Sequence, residues 1–512
     1  MLIKVCGAAI QGIDATIITI EVNSSRGCMF YLVGLPDSAV KESHQRIISA
    51  LQVTGYKMPT SNIVINMAPA DIRKEGSAYD LPLAIGILAA NETISCEKLP
   101  HYLMMGELSL DGSIQPITGA LPIAIKAREE GFEGLIVPQQ NAREAAVVNN
   151  LNVYGVTNIR EVIEFFNGKQ ELQPTIVNTR EEFYAQQENF ECDFSDVKGQ
   201  ENVKRALEVA AAGGHNLILV GAPGCGKSMM AKRLPSILPP LSLGESLETT
   251  KIHSVAGKLG RNASLISKRP FRDPHHTISQ TAMVGGGSFP QPGEISLAHN
   301  GVLFLDELPE FQRGVLEVLR QPLEDRRITI SRVKCSIDYP ASFTLIASMN
   351  PCPCGYYNHP TKACVCSPGQ VQKYLNKISG PLLDRIDIQI EIVPVPFEEM
   401  ASKRPAEPSS EIRKHVIKAR QIQEQRFSNH PGIYCNAQMT SKLISTYAQP
   451  DNKGLTLLKT AMERFNLSAR AYDRILKVSR TIADLEGSEQ ILPAHLAEAI
   501  SYRNLDRENW AG

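Results

Sequence analysis

A glycine-rich segment carries the clearest chemistry in this sequence. Its residues, all predicted to line a nucleotide site, are Gly221, Ala222, Pro223, Gly224, Cys225, Gly226, Lys227 and Ser228. Glycines let successive backbone N–H groups face a phosphate at the beginning of a helix, where the helix dipole favours negative charge. We expect Lys227 to reach the β- and γ-phosphates and Ser228 to bind Mg²⁺. Cys225 occupies a free position of the pattern, so we interpret it as a tolerated small residue. The segment predicts a site for ATP and Mg²⁺.

Two adjacent carboxylates, Asp306 and Glu307, end an apolar run further along the chain. In nucleoside triphosphatases the first carboxylate of such a pair holds Mg²⁺, and the second polarises the attacking water. A glycine-rich turn or an acidic pair by itself indicates little. Because both motifs follow apolar runs typical of buried strands, and in this order, they predict ATP hydrolysis. Glu307 further predicts that hydrolysis drives work.

Four cysteines, Cys352, Cys354, Cys364 and Cys366, form two close pairs separated by a short loop. Four thiolates suit a tetrahedral site, and Zn²⁺ is its ordinary occupant. The Cys-x-Cys spacing is narrower than Cys-x-x-Cys, so the geometry would be tight, and His359 is an alternative ligand. Disulfides are the other interpretation, but the remaining cysteines are mostly scattered singly, which is typical of a reducing compartment. We therefore predict structural Zn²⁺ and a cytoplasmic location.

Composition limits the class of protein. A chain of 512 residues with 43% hydrophobic residues can form two to four domains with sizeable cores. The formal net charge of -1 excludes a surface coated with basic residues, so contacts with nucleic acid must use local patches. The longest apolar stretch, 81–90, contains a proline and is too short to span a bilayer, so no membrane partner is predicted.

The elements that must position these residues fall into three blocks. Residues 1–168 mix strands and helices, and the polar stretch 169–190 is typical of a linker. Residues 191–396 show α/β alternation, with the glycine-rich segment after an early strand. Residues 408–512 are mainly helical. The predicted fold class is α/β: an N-terminal α+β domain, a central α/β P-loop domain and a C-terminal helical domain.

The middle block resembles an AAA+ ATPase in more than its phosphate loop. Segment 194–200 lies where that family places residues against the adenine, and a strand ending at Asn350 matches the first sensor, which orients the lytic water. Arg385 resembles an arginine finger, which acts on the nucleotide of a neighbouring subunit, and Arg470 resembles the second sensor on a helical lid. For each arginine, the alternative is a surface ion pair. The resemblance implies a homo-oligomer, expected to be a hexameric ring.

The residues between the two nucleotide motifs narrow this resemblance. The run 272–310 resembles the magnesium-chelatase-like branch of AAA+ proteins and, within it, the ComM/YifB family. The likeness extends over essentially the whole chain. It implies a ring-shaped, ATP-driven motor that performs helicase action or branch migration on single-stranded or branched DNA, acting on recombination intermediates in natural transformation. The alternative is a metal-insertion ATPase subunit like that of magnesium chelatase, which needs porphyrin-binding partners.

An alternating basic segment, 326–338, lies just before the strand of the first sensor. In this branch such a segment forms a hairpin that projects toward the pore of a ring. Arg332 and Lys334 would then offer positive charge to a DNA backbone, independently of its sequence. The alternative is a solvated edge strand. For the adjacent His275 and His276 we favour a structural or nucleic-acid-facing role over metal binding.

The N-terminal block, 1–168, resembles the S5-like, Lon-protease-like domain of ComM and RadA proteins. A protease of this type needs a serine nucleophile and a lysine base. Alignment with the family pattern puts Ala78 and Leu121 at those positions, while Ser77 is one place off and Lys126 lies too far along its helix. We predict an inactive protease fold that serves as an assembly or DNA-binding platform, which argues against a third class, an ATP-dependent protease.

Overall fold

The computed structural model describes residues 1–187, 190–260, 263–287, 290–332, 335–395, 406–465 and 467–503. Helices and parallel sheets occur together in it, which confirms the predicted α/β class. None of the helices in these ranges is both long enough and apolar enough to cross a bilayer.

The first part of the chain alternates short strands and helices. Its strands are β1 (Leu2–Gln11), β2 (Asp14–Ser25), β3 (Phe30–Val33), β4 (Asn62–Ala68), β5 (Tyr102–Met104), β6 (Glu107–Leu108), β7 (Ile114–Gln115), β8 (Gly134–Pro138) and β9 (Asn152–Val156). Its helices are α1 (Ser38–Val53), α2 (Asp80–Ala90), α3 (Ala120–Glu129), α4 (Gln139–Ala145), α5 (Ile159–Phe166) and α6 (Thr179–Gln186).

The rest of the chain begins as α/β and ends as helices. Its strands are β10 (Leu217–Gly221), β11 (Phe271–Arg272), β12 (Gly285–Gly286), β13 (Gln291–Pro292), β14 (Val302–Leu305), β15 (Arg327–Arg332), β16 (Cys335–Pro340), β17 (Thr344–Met349) and β18 (Ile388–Ile392). Its helices are α7 (Glu201–Gly213), α8 (Lys227–Ile237), α9 (Leu243–Val255), α10 (Gln280–Val284), α11 (Glu294–Leu297), α12 (Arg313–Glu317), α13 (Arg320–Asp325), α14 (Pro368–Leu375), α15 (Gly380–Leu383), α16 (Ser409–Phe427), α17 (Ser441–Tyr447), α18 (Asn452–Phe465), α19 (Ala469–Leu485) and α20 (Pro493–Ser501).

The chain forms two compact units, and the first combines two separate stretches, 1–186 and 243–267. Its seven-stranded sheet has the order β3-β4-β2-β1-β5-β8-β9. Strands β1, β2 and β4 pair antiparallel, whereas β5, β8 and β9 pair parallel. The apolar helix α2 is buried along its whole length. The stretch predicted as a linker, 169–190, includes α6; the predicted domain limits stay predictions.

The segment 243–267 packs into the first unit through α9. Its Ser254 carbonyl oxygen accepts a hydrogen bond from the Gly119 backbone N–H at 3.1 Å, at the beginning of α3. The Ser254 hydroxyl donates to the carboxylate of Glu144, which also accepts from the Leu121 N–H at 3.0 Å. Burial raises the pKa of Glu144. This buried carboxylate joins α9 to the first turn of α3.

The second unit, 187–242 with 268–512, is built on a parallel sheet with the order β11-β14-β17-β10-β18. Strands β10 and β14 are buried at every position. Parallel sheets covered on both faces need such continuous apolar runs, which is why these strands could be read from the sequence. Since β17 pairs with both β10 and β14, the carboxyl ends of these three strands meet at one edge.

A buried polar network ties the helix α19 to this sheet. The ring of His215, just before β10, lies 3.2 Å from Asp387 Oδ2 through Nδ1 and 2.7 Å from the Thr481 hydroxyl through Nε2. Arg474 donates to Asp387 Oδ1 at 2.9 Å. Although burial opposes it, Arg474 and His215 hold the pKa of Asp387 well below its usual range. The helical region is thereby anchored two residues from Arg385.

Candidate functional site

The phosphate loop lies between β10 and α8. Gly224 and Gly226 have φ angles of 79° and 92°, a left-handed conformation that favours glycine. Gly221 lies so close to β18 that a Cβ there would approach the Ile392 carbonyl oxygen to 2.7 Å. These backbone constraints explain the glycine spacing. They leave the N–H groups of the loop at the beginning of α8, an arrangement that binds anions.

Lys227 lies at the centre of this loop. Its Nζ donates to the carbonyl oxygens of Gly221 and Ala222 at 2.7 and 3.0 Å. It also donates to Asn350 Oδ1 at 3.0 Å. Burial lowers the pKa of Lys227, although nearby acidic groups oppose this shift. The structure therefore brings the predicted lysine and the predicted first sensor into direct contact.

Asp306 collects three donors at the end of β14. The Ser228 hydroxyl donates to Asp306 Oδ2 at 2.6 Å. The hydroxyl of Ser348 and the backbone N–H of Glu307, the latter at 3.0 Å, donate to Asp306 Oδ1. A serine hydroxyl beside a carboxylate is the set of hard oxygen ligands that Mg²⁺ prefers. The residues predicted to bind Mg²⁺ fit that ion.

Glu307 follows with a left-handed backbone, φ 54°, and a side chain 56% exposed. Its Oε2 lies 3.6 Å from Nδ1 of His276. The ring of His276 is tilted by 33° against that of His275, with centroids 4.1 Å apart. The histidine pair thus lies beside the predicted catalytic glutamate. Ser348 is a site residue that the sequence did not reveal, and the place of His276 beside Glu307 was not among its predicted roles. Ser348 could have been found from its position in β17, because side chains alternate along a strand and Ser348 precedes Asn350 by two residues.

Arg385 is almost fully buried, with its side chain 9% exposed. Its Nη2 pairs with Glu324 at 2.7 Å, and its buried Nε has no hydrogen-bond partner. It lines a cavity of ≈ 710 Å³ together with residues of α13 and β15. An arginine finger must reach another subunit, so such a role requires release from Glu324.

Arg470, at the beginning of α19, pairs with Asp384 at 3.3 Å and is 64% exposed. Asp384 directly precedes Arg385, so the two predicted arginines lie on one part of the second unit. The contact recorded for Arg470 is thus with the arginine-finger segment. This is the surface ion pair that the sequence left as the alternative; the sensor role stays a prediction.

The four cysteines come together. Cys352 Sγ lies 3.3 Å from Cys354 Sγ and 3.7 Å from Cys364 Sγ, and the latter two are 3.5 Å apart. With Cys366 included, all four sulfurs lie within 4.8 Å of one another. Burial raises the pKa of Cys354, but the N–H groups of the surrounding backbone and neighbouring thiols outweigh this and lower it to about 6. Although backbone N–H groups oppose it, burial and the neighbouring thiols raise the pKa of Cys364 and Cys366. The spacing of the four sulfurs, rather than these pKa shifts, is what fits one metal ion.

The basic segment forms the hairpin that its alternation predicted, with β15 and β16 paired antiparallel from Arg327↔Pro340 to Arg332↔Cys335. Of the predicted DNA contacts, Arg332 lies at the end of β15. Lys334 lies outside the described residues. The Tyr339 hydroxyl donates to the Pro290 carbonyl at 2.6 Å, which holds the base of the hairpin.

The first unit places apolar groups at the predicted protease positions. Leu121 is fully buried at the beginning of α3, and the Ala78 carbonyl accepts from the Gly106 N–H at 2.8 Å. Lys126 pairs with Glu130 at 2.8 Å. Inactivity as a protease stays a prediction that these contacts support.

Families of known proteins match the chain in three places. The family "Magnesium chelatase, subunit ChlI" matches residues 193–400, which include the phosphate loop, both carboxylates and the cysteine cluster. The families "Subunit ChlI of Mg-chelatase" and "Magnesium chelatase, subunit ChlI C-terminal" match 20–141 and 406–503. The fold and the site define the magnesium-chelatase-like class of AAA+ proteins.

Two relatives extend over almost the whole chain. It is 44% identical over 502 residues to the competence protein ComM of Haemophilus influenzae, covering 98% of this chain and 97% of that protein. It is 44% identical over 511 residues to protein YifB of Escherichia coli, covering 98% and 96%. Lon protease 2 of Bacillus subtilis is 27% identical over 128 residues, 25% of this chain and 23% of that protein. The chain belongs to the ComM/YifB family, as its motifs predicted, and the family implies ATP and Mg²⁺.

Proposed function

We propose that this chain is an ATP-driven DNA motor that assembles as a hexameric ring and acts on recombination intermediates, by branch migration or unwinding, in natural transformation. One observation carries the ATPase: the contacts of Lys227 with Asn350 and of Ser228 with Asp306, at one sheet edge. The DNA substrate is supported by the 44% identity to a protein named for competence. The basic hairpin supports it independently.

ATP binding uses the loop 221–228. Its N–H groups and the ammonium of Lys227 contact phosphate oxygens, and the lysine exchanges its bonds to the loop carbonyls for the β- and γ-phosphates. Ser228 and Asp306 would hold Mg²⁺, which neutralises charge on the phosphates. Ser348 keeps the carboxylate of Asp306 oriented while it does so.

Hydrolysis transfers the γ-phosphoryl group to water. Glu307 accepts a hydrogen bond from the attacking water and takes its proton, and Asn350 orients the same water. The bond between the γ-phosphorus and the bridging oxygen breaks, and ADP leaves. Arg385 of one subunit stabilises charge at the nucleotide of the next, after leaving Glu324. Arg470 moves with α19, so that the helical region follows the state of the nucleotide.

DNA contacts are assigned to the hairpin β15–β16. Arg332 and Lys334 contact phosphates independently of base sequence. The four-cysteine cluster holds Zn²⁺ as a structural ion. In this proposal, ATP hydrolysis moves the hairpin along single-stranded or branched DNA.

ATP hydrolysis by the purified chain tests this proposal, measured with and without single-stranded, duplex and four-way-junction DNA at fixed salt. We expect stimulation by DNA, strongest for single-stranded or branched DNA. Replacement of Arg332 and Lys334 by Ala should leave the basal rate unchanged and abolish stimulation. The exposed Arg327, at the other end of β15, is the matched control: Arg327→Ala should retain stimulation. A rate indifferent to every DNA would favour the metal-insertion class instead.

A further inference from the structure

The four-cysteine cluster, Cys352 to Cys366, has sulfur spacings compatible with a metal site. A tetrahedral thiolate site with Zn–S bonds of about 2.3 Å places its sulfurs about 3.8 Å apart. The three separations among Cys352, Cys354 and Cys364, 3.3–3.7 Å, are close to this value, and the sulfur of Cys366 lies within 4.8 Å of each, whereas a disulfide bond is about 2.0 Å. All four cysteines are free. The sulfurs therefore converge on one point without bonding to each other.

The segment that carries the cluster has no helix or strand of its own. Residues 351–367 connect β17 to α14 and contain turns only. Short backbone bonds hold it locally, such as Gly355 N–H to the Cys352 carbonyl at 3.0 Å. A loop of this kind gains its order from a bound metal, because the ion closes it where no sheet or helix can. The position of this loop thus depends on the cluster.

This loop lies directly against the phosphate loop at Gly355. Gly355 has φ 84°, and a Cβ built on it would lie 2.4 Å from Cδ and 2.7 Å from Cγ of Pro223. The backbone of the cysteine loop therefore touches the pyrrolidine ring of Pro223. A second contact lies on the other side: Asn350, two residues before Cys352, accepts from Lys227 at 3.0 Å.

We infer that metal binding by the four cysteines positions the phosphate loop and thereby sets its affinity for nucleotide. The inference rests on the proposed ATP site, and it adds a role for the cluster beyond stability. The bound ion fixes Cys352 and Cys354, which fixes Gly355 against Pro223 and Asn350 against Lys227. Without the ion, these two supports of the phosphate loop lose their common anchor.

Gly355 separates this role from a merely structural one. Gly355→Ala forces the loops apart at Pro223 but leaves all four thiols in place, so it should keep the metal and lose nucleotide affinity. Gly432→Ala is the matched control, because Gly432 has a similar φ of 83° and a Cβ there meets no atom within 4 Å. If the contact at Pro223 does not support the phosphate loop, both variants should show the wild-type Kd, because they carry the same backbone strain.

The experiment uses the full chain in its zinc-loaded and chelator-treated forms. Zinc content is measured by metal analysis, folding by circular dichroism, and the Kd for a fluorescent ATP analogue with Mg²⁺ by titration. We expect one zinc per chain and a Kd that rises about tenfold on zinc removal and returns when zinc is added back. Gly355→Ala should show a similar rise with zinc retained, and Gly432→Ala the wild-type Kd.

Several outcomes would overturn the inference. They are absence of zinc from the intact chain, an unchanged Kd in folded zinc-free protein, and a wild-type Kd in Gly355→Ala. If removal of zinc unfolds the chain, Gly355→Ala still decides. If the proposed DNA motor is wrong but this inference is right, the Kd for nucleotide would still depend on zinc, whereas the rate of ATP hydrolysis would not change with DNA.

Discussion

The two units of this chain differ at their predicted catalytic positions. In the second unit, polar partners converge: Lys227 contacts Asn350 at 3.0 Å, and Ser228 contacts Asp306 at 2.6 Å. In the first unit, the predicted protease positions hold a fully buried Leu121 and a half-buried Ala78. Both units keep complete sheets. A fold is therefore maintained by its core, whereas chemistry depends on a few positions that can be lost without loss of the fold.

The first unit uses α3, the helix on which the predicted protease lysine position falls, for packing. The beginning of α3 accepts helix α9 through Ser254 and the buried Glu144. A lysine base needs a polar opening beside a nucleophile, whereas position 121 is fully buried. The contrast predicts that changes at the second unit's site alter catalysis and that changes at the first unit's site alter stability.

The largest effect is expected for Glu307→Gln. Hydrolysis should fall about a thousandfold, because the amide cannot accept the proton of the attacking water. Nucleotide should still bind with the wild-type Kd. The rate of hydrolysis and the Kd for nucleotide are both measured. Glu310→Gln is the matched control, since Glu310 pairs with Lys377 at 3.2 Å on the surface. A wild-type rate of hydrolysis in Glu307→Gln would mean that Glu307 does not activate the attacking water.

Arg385→Ala should lower hydrolysis about a hundredfold, through loss of charge stabilisation at a neighbouring subunit's nucleotide. Mixing this variant with Lys227→Ala, which is inactive but keeps its arginine, should restore part of the rate. Arg320→Ala, which breaks a comparable pair with Glu317 at 2.8 Å, serves as control. A mixture no more active than its components would mean that Arg385 does not act between subunits.

The double variant Ala78→Ser with Leu121→Lys tests the first unit. An ammonium in the buried interior at position 121 should lower the free energy of unfolding by about 3 kcal/mol. Urea denaturation measures this, and a casein-cleavage assay should detect no peptidase activity. Ala78→Ser alone should change stability little. Peptidase activity in the double variant would contradict the prediction that changes in the first unit affect stability rather than catalysis.

The smallest effect concerns pH. Burial raises the pKa of Glu75 to about 7, although Arg73 opposes it. Because the folded pKa exceeds the unfolded value of 4.5, the stability from the neutral carboxyl is present below pH 4.5 and is lost as pH rises to 7. Since the side chain is partly exposed, screening limits this to about 1 kcal/mol. Glu75→Gln should flatten the profile of unfolding free energy between these values; an unchanged slope would contradict it.

The nucleotide site could be predicted because its parts have fixed places in a parallel sheet. Each motif ends an apolar run, and the carboxyl ends of neighbouring strands meet. The two contacts that define the site therefore join residues already named from the sequence. The strand order that makes β17 the neighbour of both β10 and β14 was not predicted, because pairing depends on contacts far apart in the chain.

Other features could not be predicted from the sequence for the same physical reason. Motif order identifies Arg385 and Arg470, but not their partners Glu324 and Asp384, which come from other elements. The segment 243–267 was placed in the ATPase block because chain order was the only guide. Its hydrogen bonds instead tie it to α3 and α4.

Because residues 243–267 belong to the first unit, part of the second unit is synthesised before the first unit is complete. The first unit is complete only when roughly 80 residues beyond residue 186 have left the ribosome. At about 5–20 residues per second, that takes about 4–16 s, during which the surface that receives Ser254 stays uncovered. The phosphate loop emerges within this interval. The nascent chain thus carries two unfinished units at once, and its exposure to aggregation depends on how quickly residues 187–267 are translated.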